Sequence, residues 1–159
     1  MAYICMSDDP TRVRETFVYQ GLVHGITGGV GYDPDAGPAT YYFAALTSPV
    51  RDTIEFQFCI HVVNNSTSAA YPIYDTIEAN AIIPKEHRPC VATLLYTYSQ
   101  KLIARTMPVT FFMETWNINL PAKALVKYDN LCHVFGTLGY TAAVGVSETP
   151  GKHLWVMNR

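Results

Sequence analysis

Residues 53–63 (TIEFQFCIHVV) alternate without a break: Ile54, Phe56, Phe58, Ile60 and Val62 fall on one side, and Glu55, Gln57, Cys59, His61 and Val63 on the other. Successive side chains of a strand point to opposite faces, so this period of two argues for a half-buried strand. Such a strand needs neighbours to satisfy its backbone and a layer to cover its apolar face. Further β-branched and aromatic runs at 13–24, 40–46, 76–83, 90–98, 102–106, 109–116, 118–120, 131–140 and 153–157 read as strands. Clusters rich in Gly, Pro, Asn and Asp separate them: TGGVGYDPDAGP, TSPVRD, NNSTSAAYP, IPKEHRP, KYDN and SETPGK. The expected fold is all-β, an antiparallel, jelly-roll-like sandwich of about nine or ten short strands. The one stretch of helical character, 122–128 (AKALVKY) after Pro121, is too short to change that class.

The 159 residues suit one domain, with no repeat or linker inside it. Residues 1–10 are expected to form an N-terminal arm, because Ser7, Asp8, Asp9 and Pro10 do not continue a strand, and 11–159 to form the sandwich. Charged residues make up only 15% of the chain and hydrophobic ones 49%, which suggests apolar surface shared between subunits. A net charge of −2 and no cluster of Lys and Arg make nucleic acid an unexpected partner. The longest apolar run, 91–96, is far short of the roughly 20 residues of a membrane span. No signal-peptide pattern opens the chain, so it reads as soluble and non-secreted, and the Asn64 and Asn65 sequons read as turn chemistry. Cys5, Cys59, Cys90 and Cys132 form no CxxC pair. Spacing leaves two disulfides and four thiols both open, with buried thiols favoured.

Candidate chemistry is sparse. The glycines at 21, 25, 28, 29 and 31 lack the Lys and Ser/Thr of a P-loop, and Tyr32, Asp33 and Pro34 follow them where a phosphate-binding helix would start, so a flexible loop is expected and no cofactor. Asp33 and Asp35 have the spacing of calcium ligands without the remaining acids, and a turn cap is the better reading. Cys59 and His61 share a strand face, but adjacent Cys132 and His133 would diverge on a strand, so zinc is not expected. His61, His87 and His133 have no GxSxG or HExxH context. Glu55 with Glu78 or Glu114 would make a glycosidase pair only on a concave sheet, and the chain is read as a non-enzyme. The 11 tyrosines are more informative, since a flat ring with a hydrogen-bonding tip suits sugar and protein contacts. Tyr32, Asp33, Asp35, Tyr71 and Tyr74, in or beside expected loops, are the candidate receptor-binding residues.

Residues 81–98 (AIIPKEHRPCVATLLYTY) carry an apolar run, then Pro84, a short polar turn, and Arg88 and Pro89 before the next run. This pattern resembles the C-terminal heads of phage tail fibres and baseplate receptor-binding proteins, and the layout downstream of Leu102 is similar. Pro84, Arg88 and Pro89 would then form a structural corner between sheets, with Arg88 bonding nearby carbonyls or a carboxylate. The resemblance implies a homotrimer on a virion, at a tail or fibre tip, made in the host cytoplasm and attaching to a host-surface glycan or protein. Leu94 with Tyr96, or Val134 with Leu138, would supply the threefold interface. The alternatives are a structural virion subunit, in capsid decoration or a baseplate, and a carbohydrate-active β-sandwich enzyme.

Overall fold

A computed structural model describes residues 3–6, 15–35 and 39–159. The chain is mostly β. Nine strands form one mixed, largely antiparallel sheet: β1 (Ile4–Cys5), β2 (Glu15–Gln20), β3 (Val23–Asp33), β4 (Ala39–Val50), β5 (Thr53–Asn64), β6 (Ala70–Ile73), β7 (Thr110–Glu114), β8 (Thr141–Gly145) and β9 (Leu154–Asn158). Their order is β1-β3-β4-β5-β7-β9-β8, with β2 also on β3 and β6 also on β5. Three helices, α1 (Thr76–Ile82), α2 (Arg88–Thr106) and α3 (Ala122–Gly136), accompany the sheet. The arrangement is an all-β, sandwich-like fold with α2 and α3 packed over one face of the sheet, and the strand order gives no support for a jelly roll among the described residues.

The alternation in β5 is realised at Phe56, Ile60 and Val62, whereas Ile54 and Phe58 on the same side are half-buried and Cys59 on the other side is buried. Phe56, Ile60 and Val62 are buried, and they pair in register with Thr47, Phe43 and Tyr41 of β4, whose buried side chains share the same face. Helices α2 and α3 cover that face: Phe43 stacks on Tyr98 of α2, and Phe56 and Phe111 meet Phe135 of α3 edge to face. Burying such rings contributes about 1.5–3 kcal/mol apiece, which is why this seam is the core. The pairing of β5 with β7 is parallel. Parallel strands require a long crossover, and β6, α1 and α2 provide it.

Several expected strands are helices. Residues 76–83 open with Asp75, whose carboxylate accepts from Ile77 N (2.5 Å) and Glu78 N (3.4 Å), an N-cap that starts α1. Residues 90–98 and 102–106 are one helix, α2, whose Val91, Leu95, Tyr98 and Leu102 recur at helical spacing and face the core. Its β-branched Thr93, Thr97 and Thr106 satisfy their hydroxyls on the carbonyls four residues back. The turn expected at 122–128 runs on to Gly136 and absorbs most of the strand expected at 131–140, again with Tyr128, Leu131 and Phe135 on one buried stripe. Residues 118–120 form no strand, whereas β6 and β8 were not anticipated.

The glycine-rich stretch is strand and not flexible loop. Of the strand expected at 13–24, residues 13–14 lie outside the described residues and 15–24 hold a hairpin that turns at Gly21; β3 then continues through Gly25, Gly28, Gly29 and Gly31. A Cβ at Gly28 would enter the ring of Tyr98, and one at Gly31 the ring of Tyr3. These glycines let two tyrosines lie flat on the strand, Tyr98 donating to Gly29 O (2.8 Å) and Tyr3 to Val30 O (3.2 Å).

Of the arm expected over residues 1–10, Tyr3, Cys5 and Met6 are buried in the domain and β1 pairs with β3; residues 1–2 and 7–10 lie outside the described residues. Cys5 forms a disulfide with Cys90 at the start of α2, so the four-thiol reading is corrected; Cys59 and Cys132 are free. The Pro84–Pro89 corner joins helices, not sheets. Lys85–His87 form a single 3-10 turn, Pro89 sits in the first turn of α2, and Arg88 donates to Ile83 O (3.1 Å) and Asn80 O (2.8 Å), closing the end of α1. Leu94, Tyr96 and Val134, expected on strand faces of a threefold interface, lie on helices, and with Leu138 they pack partly buried against the core.

Candidate functional site

Strand β5 is shared. Its C-terminal half, Ile60–Val63, pairs with β6, and near its start Glu55 pairs with β7. Both neighbours end beside the middle of β5 and turn away, β6 into Tyr74 and Asp75, β7 into Thr115 and Trp116. The sheet is therefore split where strand ends diverge, and backbone geometry of this kind commonly makes a ligand crevice.

Side chains from both departing segments meet over the split. Tyr74 stacks on Trp116 with ring centroids 4.4 Å apart and planes 16° from parallel. Both stay open to solvent, Tyr74 at 39% and Trp116 at 55% exposure. Below them Asn117 donates to the Oδ2 of Asp75 (2.5 Å), which ties the two chain segments together. That bond, with the Ile77 amide, holds the Asp75 carboxyl below the usual carboxylate range.

Three recesses open around the split, and Tyr74 lines all three. The first, of about 220 Å³, lies on the face of the sheet opposite the helices, where Gly25, Thr27 and Ala44 leave a shallow apolar trough ending at Cys59 and His61. Burial raises the Cys59 thiol to about 11, against a smaller lowering from its hydrogen bond with Tyr74, which favours the protonated thiol at neutral pH. The second, of about 150 Å³, lies on the helix side and holds Lys127. The third, of about 80 Å³, is lined by the Tyr74–Trp116 pair and Tyr128, and its polar residues include Glu55, Gln57, Glu114 and Lys152. Glu114 is already engaged: it accepts from Ser147 Oγ and from Lys152 Nζ (3.3 Å).

The expected site residues do not form one cluster. Tyr74 lies at the split, and Trp116, its partner, was not singled out. Tyr71 is exposed on β6, and its charge and that of Asp33 both act on Tyr41, raising its hydroxyl pKa further after burial. Asp33 is buried and its Oδ1 accepts from Asp35 N (2.9 Å), the turn cap expected of it, while Asp35 is exposed and Tyr32 is half-buried on β3. Cys132 and His133 lie on α3, away from the strand that carries Cys59 and His61. Among the described residues no three ligating side chains gather as a metal site would require. Glu55 and Glu114 do share a recess, whereas Glu78 belongs to α1 and lines none of these recesses. The pattern that would have revealed Trp116 is its place just past the end of a strand, two positions beyond Glu114.

Comparison with protein-family models, with curated proteins and with solved structures yields no match. No helix among the described residues is long and apolar enough to cross a membrane.

Proposed function

We propose that the chain is a non-catalytic binding domain for a saccharide, held over the split in the sheet. The observation that carries the proposal is the exposed Tyr74–Trp116 stack beside a recess of mixed polarity lined by Glu55, Gln57, Glu114 and Lys152. Sugars present an apolar C–H face to a ring and hydroxyls to fixed donors and acceptors, and this arrangement offers both. The setting proposed is the receptor-binding head of a viral particle, in which several copies multiply a weak single site. The exposed apolar edge strand β8, with Val144 at 85% and the neighbouring Val146 at 95% exposure, supports self-association of such heads.

A glycan-array screen of the purified domain tests the reading. The expected outcome is retention of a restricted glycan set, with Trp116→Ala weakening it about tenfold while the fold is unchanged. Absence of any retained glycan, or indifference to Trp116→Ala, overturns it. A sedimentation mass of a stable monomer removes the multivalent setting. A second reading rests on one observation, that Glu55 and Glu114 line one recess, since glycosidases use a pair of carboxyl groups. Turnover of a retained glycan that is lost in both Glu55→Gln and Glu114→Gln would favour it.

A further inference from the structure

On the helix side of the split, Lys127 of α3 is drawn into the protein. Its Nζ donates to Thr76 Oγ1 (2.8 Å) and lies 5.5 Å from the ring centre of Phe58 and 5.4 Å from that of Tyr128. The neighbouring carboxylate, Asp75, is committed to Asn117 and to the start of α1, so it does not form a close ion pair with the amine. Burial lowers the ammonium pKa, and the charge of Asp75 only partly opposes this. The amine therefore has one hydrogen bond and stands on the wall of a recess of about 150 Å³ whose other walls include Ile73, Val91 and Leu95.

We propose that Lys127 is the reactive amine of a pocket that takes a small apolar aldehyde or ketone as a covalent imine. The nitrogen lone pair adds to the carbonyl carbon, and the carbonyl π electrons move to oxygen. That oxygen leaves as water, carrying away both amine hydrogens as the C=N bond forms, so the step needs no oxidant or reductant. Burial shifts Lys127 toward its uncharged form, whose nitrogen pair is the nucleophile, and the apolar walls of the recess suit an apolar carbonyl compound. A recess of about 150 Å³ suits a carbonyl compound with a short chain or a single ring.

The experiment treats the whole protein at neutral pH with benzaldehyde or butanal and cyanoborohydride, which fixes imines as stable amines, and maps the adducts by peptide mass spectrometry. Lys127 is expected to be labelled faster than Lys85, Lys101, Lys123 and Lys152 by roughly an order of magnitude. Lys127→Met should remove that adduct alone. Because this variant also changes packing, Leu95→Trp is the second arm: it fills the recess and leaves the amine in place. It should suppress labelling of Lys127 without affecting the other four lysines. Labelling of Lys127 no faster than of the other four lysines, or labelling that survives Leu95→Trp in a folded protein, overturns the proposal.

Discussion

At Gly28 a single hydrogen atom separates a strand from a helix. The Tyr98 ring that lies on it is fully buried and stacked with Phe43, so the core around it has little room to yield. Gly28→Ala is expected to destabilise the domain by about 1–3 kcal/mol, as overpacking of a filled core does. Gly136, at the end of α3, has open space around an added Cβ and an ordinary φ, so Gly136→Ala should stabilise by about 0.5–1 kcal/mol through the unfolded chain and helix propensity. Urea denaturation of the two variants side by side checks the contrast, and two changes of the same sign would contradict it. At this scale the period of 53–63 accounts for the burial of Phe56, Ile60 and Val62, but not for Ile54 and Phe58, which are half-buried, or for Cys59, which is buried from the other face. The sequence was silent about Gly28, because its use depends on a ring 70 residues away in the chain.

Among the elements, α1 depends on its cap. Asp75 followed three residues later by Glu78 is a helix-start pattern present in the sequence, but the apolar and β-branched content of 76–83 suggested a strand. The folded protein lowers the Asp75 pKa, chiefly through Asn117, so the stability this provides is complete above the ordinary carboxylate value of about 3.9 and is lost as the pH falls through the lowered one. Asp75→Ala should cost about 0.5–2 kcal/mol at neutral pH, and the difference from wild type should shrink in acid. Chemical denaturation at neutral pH and near pH 3 measures it. A difference that grows on acidification would contradict the cap. Helices α2 and α3 were misread for a related reason. Thr93, Tyr96, Thr97 and Tyr98 have strand propensity one by one, whereas the stripe Val91, Leu95, Tyr98, Leu102 has helical period, and period outweighs propensity when a core face is there to bury it.

For the whole molecule, the Cys5–Cys90 disulfide fastens the N-terminal strand to the start of α2 across 85 residues. In the chain-entropy account a loop of that length is worth about 4–5 kcal/mol, and native disulfides typically contribute about 2–5 kcal/mol. The double variant Cys5→Ser, Cys90→Ser is expected to lose stability in that range by denaturant titration, and wild type in reductant to behave alike. Equal midpoints in all three samples would show that the bridge is not formed in solution. The sequence determined that the protein is mostly β and that residues 53–63 form a strand with one apolar side, because strand period is a local property carried by adjacent residues. It also pointed to Tyr74 as a surface aromatic. The helical second layer, the pairing of Cys5 with Cys90, and the meeting of Tyr74 with Trp116 over a split sheet were decided by tertiary structure. Each depends on which distant segments come into contact, and a single sequence specifies those contacts only through the packed whole.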